Sequence, residues 1–487
     1  MISFIVSIAV LILGYFTYGK FVEKIFGVDK DRPTPAIRLQ DDVDFMPLPA
    51  WRIFLIQFLN IAGLGPIFGA IAGAMFGPAA FLWIVLGSIF AGAVHDYLSG
   101  MLSVRHDGLS ISEVVGIYLG PKMKHFMRYF TIILLIFVGT VFLMGPAKII
   151  DGMTGNIWNL WVWVGIILVY YILSTLLPID KMISKLYPIF GVAMLLMAVG
   201  LLIALLFGSY IIPEIVPANL RNMTNSPSET PLFPILFVTI ACGAISGFHA
   251  TQSPLMARCM KNETLGRKIF YGTMITEGIV ALIWAAAAMT FFGNVESLNG
   301  AMLANNNNAA WAANEISLNM LGSVGGVLAL LGIVAAPITS GDTAFRSARL
   351  ILADMLKTDQ KKIKNRLYLS LPLFVIAFAL TQIDFGIIWR YFAWSNQTLA
   401  TVVLWTITAY LMFNNKVYWV TLLPAIFMTM VCSTYILIAP EGFKLANNLA
   451  YLGGASITLC VTILFWMYTV KRQKIVEGLV PQYNNLS

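Results

Sequence analysis

Long apolar stretches of about 20 residues alternate with short polar segments along the whole chain. Because a helix needs roughly 20 apolar residues to cross the hydrocarbon core of a bilayer, the pattern predicts an all-α integral membrane protein. It contains thirteen such stretches, which we interpret as transmembrane helices. They cover residues 2–18, 53–75, 80–101, 127–146, 157–178, 186–208, 232–256, 269–292, 323–344, 367–384, 387–413, 417–438 and 448–470.

The second span, residues 53–75, is interrupted near its middle by Gly63, Gly65 and Pro66. Glycine weakens a helix and proline removes a backbone donor, so we expect an unwound turn there. Unpaired backbone groups cost several kcal/mol each in hydrocarbon, so a break persists where it lines a cavity or binds something. The alternative is a stripe of small residues for close helix packing, because Gly65, Gly69, Gly73 and Gly77 recur every four residues.

The seventh span, residues 232–256, carries a second interruption and the most polar run inside any predicted span. Glycines lie at mid-depth and polar side chains follow them. We expect its candidate substrate-binding residues to be Gly247, Phe248, His249, Thr251 and Gln252. Paired interrupted helices in the two halves of a membrane protein are typical of a transporter with its site near the midplane. Gly63 and Gly65 complete the predicted site from the second span.

The two interrupted spans are five spans apart, and a unit of five spans followed by its copy lies inverted in the membrane. This predicts an inverted repeat of spans 2–6 and 7–11, with the chain divided into residues 1–52, 53–210, 211–415 and 416–487. The first part holds one helix and a cytoplasmic loop, and the last holds two additional helices and a tail. Helix amino termini at the breaks would direct N–H groups at a substrate carboxylate, and free carbonyls would suit a cation.

Composition and charge placement support this interpretation. The 487 residues are 59% hydrophobic and 11% charged, against about 25% charged in soluble proteins. A net charge of +8 would suggest nucleic acid for a soluble protein. With the amino terminus outside, however, 27 of the 31 Lys and Arg residues lie in cytoplasmic segments, as the positive-inside rule requires. We therefore expect no nucleic-acid partner, a cytoplasmic carboxyl terminus and location in the inner (cytoplasmic) membrane.

Two shorter segments are predicted to form helices along the membrane surface, Ser110–Leu119 inside and Ala310–Met320 outside. Residues 1–19 lack a basic start and a cleavage site, so they are expected to remain as the first helix. The four cysteines show no disulfide or metal spacing, so no cofactor and no metal other than Na⁺ is expected.

Ionisable residues inside spans are expensive and are therefore functional candidates. Glu277 and His249 are candidates for carrying a proton, and the alternative for each is a satisfied hydrogen bond between helices. His95 and Asp96 are placed toward the cytoplasmic end of the third span. There, a gate and a structural pair are equally favoured.

Hydroxyl and amide side chains complete the candidate set. Thr339, Ser340, Asp342 and Thr343 end the ninth span and would form a Na⁺ site with carbonyls from Ala62 onward. The alternative for these side chains is helix capping or bonding back to their own helix. Asn396 and Gln397 in the eleventh span would bind substrate or clamp helices together.

Six short motifs resemble the carbon starvation protein A family. They are Ile61-Ala-Gly-Leu-Gly-Pro66, Ala91-Gly-Ala-Val-His-Asp96, Arg105-His-Asp-Gly108, Ile240-Ala-Cys-Gly-Ala-Ile-Ser-Gly-Phe-His-Ala-Thr251, Gly341-Asp-Thr-Ala-Phe-Arg346 and Ser395-Asn-Gln397. The resemblance implies a leucine-transporter-like fold and a secondary carrier used in starvation, linked to peptide uptake or to pyruvate uptake with protons. Two features depart from it: Ile56-Gln57 replaces a frequent His-His pair, and the chain lacks several carboxy-terminal spans of long members.

The leading functional hypothesis is therefore a peptide importer that is coupled to H⁺ or Na⁺ and alternates access around the two breaks. A symporter of pyruvate or another small carboxylate is the alternative substrate assignment. A channel is the rival within transport, and a membrane sensor or structural protein is the rival outside it. An enzyme is disfavoured because no Walker A loop, HExxH, Gly-x-Ser-x-Gly or dinucleotide fingerprint is present. The sequence does not predict an oligomeric state.

Overall fold

The computed structural model describes residues 1–41, 44–155, 157–176, 179–360 and 362–483, and every regular element in these ranges is helical. Residues 177–178, which end one predicted span, and 484–487 of the predicted tail lie outside them. The helices are α1 (Ile2–Phe26), α2 (Pro35–Arg38), α3 (Ala50–Ala62), α4 (Gly65–Ala74), α5 (Ala79–Arg105), α6 (Ile111–Leu119), α7 (Pro121–Met153), α8 (Leu160–Leu176), α9 (Ile179–Phe207), α10 (Leu232–Thr239), α11 (Gly247–Ala257), α12 (Glu263–Phe291), α13 (Val295–Ala304), α14 (residues 309–321), α15 (Val324–Leu356), α16 (Ile363–Leu380), α17 (Phe385–Phe413), α18 (Trp419–Ile438) and α19 (Asn447–Tyr483).

Nine helices in the described ranges are long and apolar enough to cross a membrane, and the bent pair α3 and α4 makes ten. Their apolar surface confirms an all-α, multi-pass membrane protein, because large exposed hydrophobic surfaces are unfavourable in water. The other three predicted spans correspond to the shorter α8, the broken pair α10 and α11, and the 29-residue α17. The count of thirteen spans stays a prediction.

Both predicted surface segments are helical. Helix α6 covers the inner segment, and α14 covers the outer one before the chain bends at Gly322 into α15. Asn308 caps α14, since its side chain accepts hydrogen bonds from the amides of Ala310 and Trp311. Their position along the membrane surface stays a prediction.

Burial separates a central group of helices from a peripheral one. The apolar windows of α5 and α12 are 83% buried, whereas that of α19 is 17% buried. The long helix α7 packs against α15 and α17, and α11 packs against α5 and α17. The two broken helices therefore lie inside a shell of other helices.

An ion pair closes one end of this central group. Arg105, the last residue of α5, donates from Nε and Nη2 to the carboxylate of Glu263 at 3.2 and 3.1 Å, and Glu263 is fully buried. The same carboxylate accepts from the amide of Asp29 at 3.0 Å. Arg105 also donates to the carbonyl of Gly27 at 2.6 Å. The pair thus joins the segment after α1 to the ends of α5 and α12.

We expect Glu263→Gln to destabilise the protein by about 1.5–3 kcal/mol, because the charge-assisted hydrogen bonds to Arg105 are weakened or lost while Arg105 keeps its bond to Gly27. Thermal unfolding in detergent measures the effect. Glu296→Gln, at an exposed carboxylate, is the matched control and should leave the melting temperature unchanged. Equal melting temperatures for the Glu263→Gln variant and the wild type would contradict the stabilising role of the pair.

Candidate substrate site at the two helix breaks

The first break lies between α3 and α4, whose axes differ by 52°. Gly63 occupies a conformation with φ +41°, which side chains other than glycine rarely adopt, and a Cβ there would lie 2.7 Å from the ring of Phe142. The predicted unwound turn is therefore present, with Ala62 as the last residue of α3. Phe142 on α7 packs against it.

The second break separates α10 from α11 by residues 240–246. Side chains of α5 bind two of its carbonyls: Trp83 donates to Ile240 at 3.1 Å, and Ser88 donates to Gly243 at 3.0 Å. These bonds explain how unpaired backbone persists at membrane depth, because protein groups replace the missing helical partners. At least these two carbonyls are therefore already engaged by protein donors.

The two breaks touch each other. A Cβ at Gly65 would lie 2.2 Å from Cβ of Cys242, and one at Gly73 would lie 2.3 Å from the side chain of Ile240. A Cβ at Gly69 would lie 3.0 Å from the carbonyl oxygen of Thr239. These three glycines of the stripe thus allow close packing, as the alternative interpretation proposed, and the surface that they pack against is the second broken helix. Gly77 faces Met223 instead.

Helix α11 begins in direct contact with α17. The amide of Phe248 donates to Oδ1 of Asn396 at 2.9 Å. A Cβ at Gly247 would lie 2.6 Å from the backbone of Asn396 and Ala400. The second amide of α11 is thus bound by a side chain of α17, which satisfies one of the unpaired N–H groups of the helix amino terminus. It does not point freely at a ligand.

Four ionisable side chains that are distant in sequence meet beside the second break. Nδ1 of His95 lies 2.7 Å from Oδ1 of Asp96, and Nδ1 of His249 lies 2.8 Å from Oδ2 of the same carboxylate. Nε2 of His249 lies 3.4 Å from Oε2 of Glu277 on α12. All four side chains are fully buried. The structure therefore joins residues that the sequence offered as separate candidates.

Helix α5 extends past the predicted end of the third span, so His95 and Asp96 lie farther from the end of their helix than predicted. Their position relative to the membrane stays a prediction. The predicted span ended at residue 101, which placed the pair toward its cytoplasmic end. Helix α5 instead continues to Arg105, and Asp96 reaches across to α11. Cys242 also lies near His249 and Glu277, so these three side chains could hold a metal ion. No spacing along the sequence indicated this group, because the three residues come from different elements.

The hydroxyl candidates form a second group on α15. Ser340 donates to the carbonyl of Leu59 on α3 at 3.0 Å, so α15 does contact the first broken helix. Thr339 and Thr343 donate to carbonyls of their own helix at 2.6 and 3.0 Å. Asp342 accepts from the hydroxyl of Tyr187 at 3.0 Å.

The remaining polar candidates lie on α11 and α17. Thr251 donates to the carbonyl of Phe248 at 2.6 Å, and Gln252 donates to the Thr251 hydroxyl at 2.9 Å. Gln397 donates to the carbonyl of Phe237 on α10 at 3.2 Å. One polar atom of each amide has no hydrogen-bond partner among the described residues: Oε1 of Gln252, Nδ2 of Asn396 and Oε1 of Gln397.

Two further amides, Gln57 and Asn60, were not predicted as site residues. Both are fully buried on α3, just before the first break, and their spacing of three places them on one helical face. Neither the oxygen nor the nitrogen of either amide has a hydrogen-bond partner among the described residues. A buried polar group without a partner costs about 1–3 kcal/mol. Amides three residues apart within an apolar span were the sequence signal for this pair.

The chain is similar in sequence to several known proteins. The family described as "Carbon starvation protein CstA" matches residues 1–153 and 153–386. The chain is 42% identical over 353 residues to an "Uncharacterized membrane protein" of Haemophilus influenzae, covering 62% of this chain and 95% of that protein. It is 26% identical to "Peptide transporter CstA" of Bacillus subtilis, covering 82% of this chain and 83% of the relative.

A third relative is the "Pyruvate/proton symporter BtsT" of Escherichia coli, 26% identical over 58% of this chain and 48% of that protein. Among solved structures, a manganese transporter of Eremococcus coleocola aligns with a TM-score of 0.57 at 13% identity, covering 90% of this chain and 99% of that one. This likeness shows a shared fold. Because the family match covers most of the sequence, the chain belongs to the carbon starvation protein CstA family.

Proposed function

We propose that the protein is a secondary active transporter of the cytoplasmic membrane that imports peptides by alternating access at the two helix breaks. One observation carries this proposal: next to the first break, the fully buried amides of Gln57 and Asn60 have polar atoms without a hydrogen-bond partner among the described residues. A polar ligand that pairs with them would offset this desolvation cost. A transporter site needs such groups at a break deep in the membrane.

The architecture proposed for this function has thirteen spans, with spans 2–6 and 7–11 as an inverted repeat and the amino terminus outside. The structure contains two helix breaks, and the proposed numbering assigns them to spans 2 and 7, which would be corresponding positions of the two halves. In this arrangement the candidate substrate residues are those of the two breaks together with Asn396 and Gln397. No enzymatic step is part of the proposal.

Pyruvate, or another small carboxylate, is the second candidate substrate. It is supported by the relative named as a pyruvate/proton symporter. The amide nitrogens of Gln57, Asn60 and Asn396 are donors without partners among the described residues, and a carboxylate accepts hydrogen bonds. A peptide would use the same donors through its carboxyl terminus and would also engage the amide oxygens.

Coupling to H⁺ or Na⁺ belongs to the proposal, and each ion has its own candidate residues. His95, Asp96 and Glu277 are the candidates for H⁺. Ala62, Thr339, Ser340, Asp342 and Thr343 are those for Na⁺. A sodium requirement that survives Thr339→Val combined with Ser340→Ala would remove these hydroxyls from a coupling role. The proposal of transport rests on the amides of Gln57 and Asn60 and does not depend on which ion is coupled.

Uptake by purified protein in liposomes tests the function. Labelled dipeptide, tripeptide and pyruvate are compared under an imposed pH gradient, an imposed Na⁺ gradient and no gradient. We expect saturable accumulation of one solute class that depends on one of the two gradients. Flux that does not saturate would indicate a channel, and no uptake of any of these solutes would favour a sensor or structural protein. Chemical conversion without accumulation would indicate an enzyme.

A further inference from the structure

Three side chains from different elements converge beside the second break. They are Cys242 within the break, His249 on α11 and Glu277 on α12, and one ligand atom of each lies within 4.8 Å of the other two. All three side chains are buried. Sulfur, imidazole nitrogen and carboxylate oxygen are the three donor types with which proteins bind Zn²⁺.

These groups are poorly satisfied by the protein itself. Nε2 of His249 and both carboxylate oxygens of Glu277 have no hydrogen-bond partner among the described residues. The 3.4 Å between Nε2 and Oε2 is a close approach without hydrogen-bond geometry. Sγ of Cys242 donates only a weak hydrogen bond, to Oγ of Ser246 at 3.6 Å. Buried polar atoms without a hydrogen-bond partner destabilise the folded protein, and a ligand bound to this cluster would offset that cost.

Asp96 orients the imidazole as a second layer around the cluster. Its carboxylate accepts from Nδ1 of His249 at 2.8 Å, which leaves the lone pair of Nε2 directed toward Glu277. His95 holds the other oxygen of Asp96 at 2.7 Å. A carboxylate behind a ligating histidine is the usual arrangement in metal sites, where it fixes the tautomer and the ring orientation.

We propose that Cys242, His249 and Glu277 bind one divalent transition-metal ion of the Zn²⁺ or Co²⁺ type. The thiol binds as thiolate and releases its proton, so that thiolate and carboxylate together balance the charge of the ion in a buried site. Three protein ligands leave a fourth tetrahedral position for water. A thiolate ligand disfavours Mg²⁺ and Ca²⁺, which prefer oxygen. The site shares His249 with the candidate substrate residues and Glu277 with the candidates for H⁺, and binding of the ion is measured separately from transport.

Cobalt titration of the full-length protein in detergent tests the site, because thiolate ligation to Co²⁺ gives a charge-transfer absorption. The parent is Cys460→Ser, which removes the exposed thiol. We expect one equivalent of Co²⁺ with this absorption, displaced by Zn²⁺ and not by Mg²⁺. Cys242→Ser should abolish the absorption. Asp96→Asn should weaken binding by about 10–100-fold while the absorption remains.

Cys259→Ser is the matched control, since Cys259 is also a buried free cysteine but lies outside the cluster of Cys242, His249 and Glu277. It should bind Co²⁺ like the parent. If Cys242→Ser does not fold, Glu277→Gln tests the site instead. This variant should keep the thiolate absorption and bind Co²⁺ at least about tenfold more weakly than the parent. No thiolate absorption in the parent, an absorption that survives Cys242→Ser, or unchanged affinity in Glu277→Gln would overturn the proposal. Loss of uptake activity would not affect it.

Discussion

Gly65→Ala is expected to lower uptake by at least about tenfold, because an added methyl group overpacks the contact between the two breaks. The new Cβ would lie 2.2 Å from Cβ and 2.4 Å from Sγ of Cys242, a distance that real side chains do not reach. The two broken helices must therefore move apart. Initial uptake rates in liposomes, normalised to the amount of folded protein, measure the effect.

Gly165→Ala is the matched control for this substitution. Gly165 lies in α8, and a Cβ there would meet no atom of the described residues within 4 Å. It should transport at the wild-type rate and elute as the same single species in size-exclusion chromatography. If Gly65→Ala transports as well as Gly165→Ala, close contact between the breaks is not required for transport.

Gln57→Leu is expected to abolish uptake and, at the same time, to stabilise the protein by about 1–3 kcal/mol. Leucine fills a similar space without an amide whose two polar atoms lack partners among the described residues. Opposite effects on stability and transport are typical of a side chain kept for function rather than for folding. Thermal unfolding and liposome uptake on the same preparation measure both.

Asn396→Leu is the comparison variant, because it removes a buried amide that does have a hydrogen-bond partner in the protein. Oδ1 of Asn396 accepts from the amide of Phe248, so its removal takes the cap from α11 and should lower the melting temperature. Lowered stability in Gln57→Leu would mean that Gln57 has a structural partner. Full uptake by Gln57→Leu would remove it from the site.

The helices and both breaks could be predicted from the sequence because they depend on local properties. Apolar runs of about 20 residues and the glycines at residues 63 and 247 carry their own signal. The predicted division into 1–52, 53–210, 211–415 and 416–487 and the orientation in the membrane stay predictions. So do the roles of the individual site residues.

The arrangement of the ionisable residues was not predictable, since it depends on how distant segments pack. Asp96, His249 and Glu277 are separated by 153 and 28 residues, and a single sequence carries no signal that their helices meet. Cys242 was not predicted as a metal ligand, because its partners His249 and Glu277 come from other elements. Free amides were expected at the start of α11, but Asn396 comes from α17, 148 residues away in sequence, to cap that end.

Equilibrium binding of the transported solute to purified protein tests most directly whether the substrate lies at the breaks. Isothermal titration compares the wild type with Gln57→Leu and Asn60→Leu, and with Gly165→Ala as control. The account predicts that each amide variant binds at least about tenfold more weakly, a loss of about 1.4 kcal/mol or more, and that the control binds like the wild type. Wild-type affinity in both amide variants would contradict it.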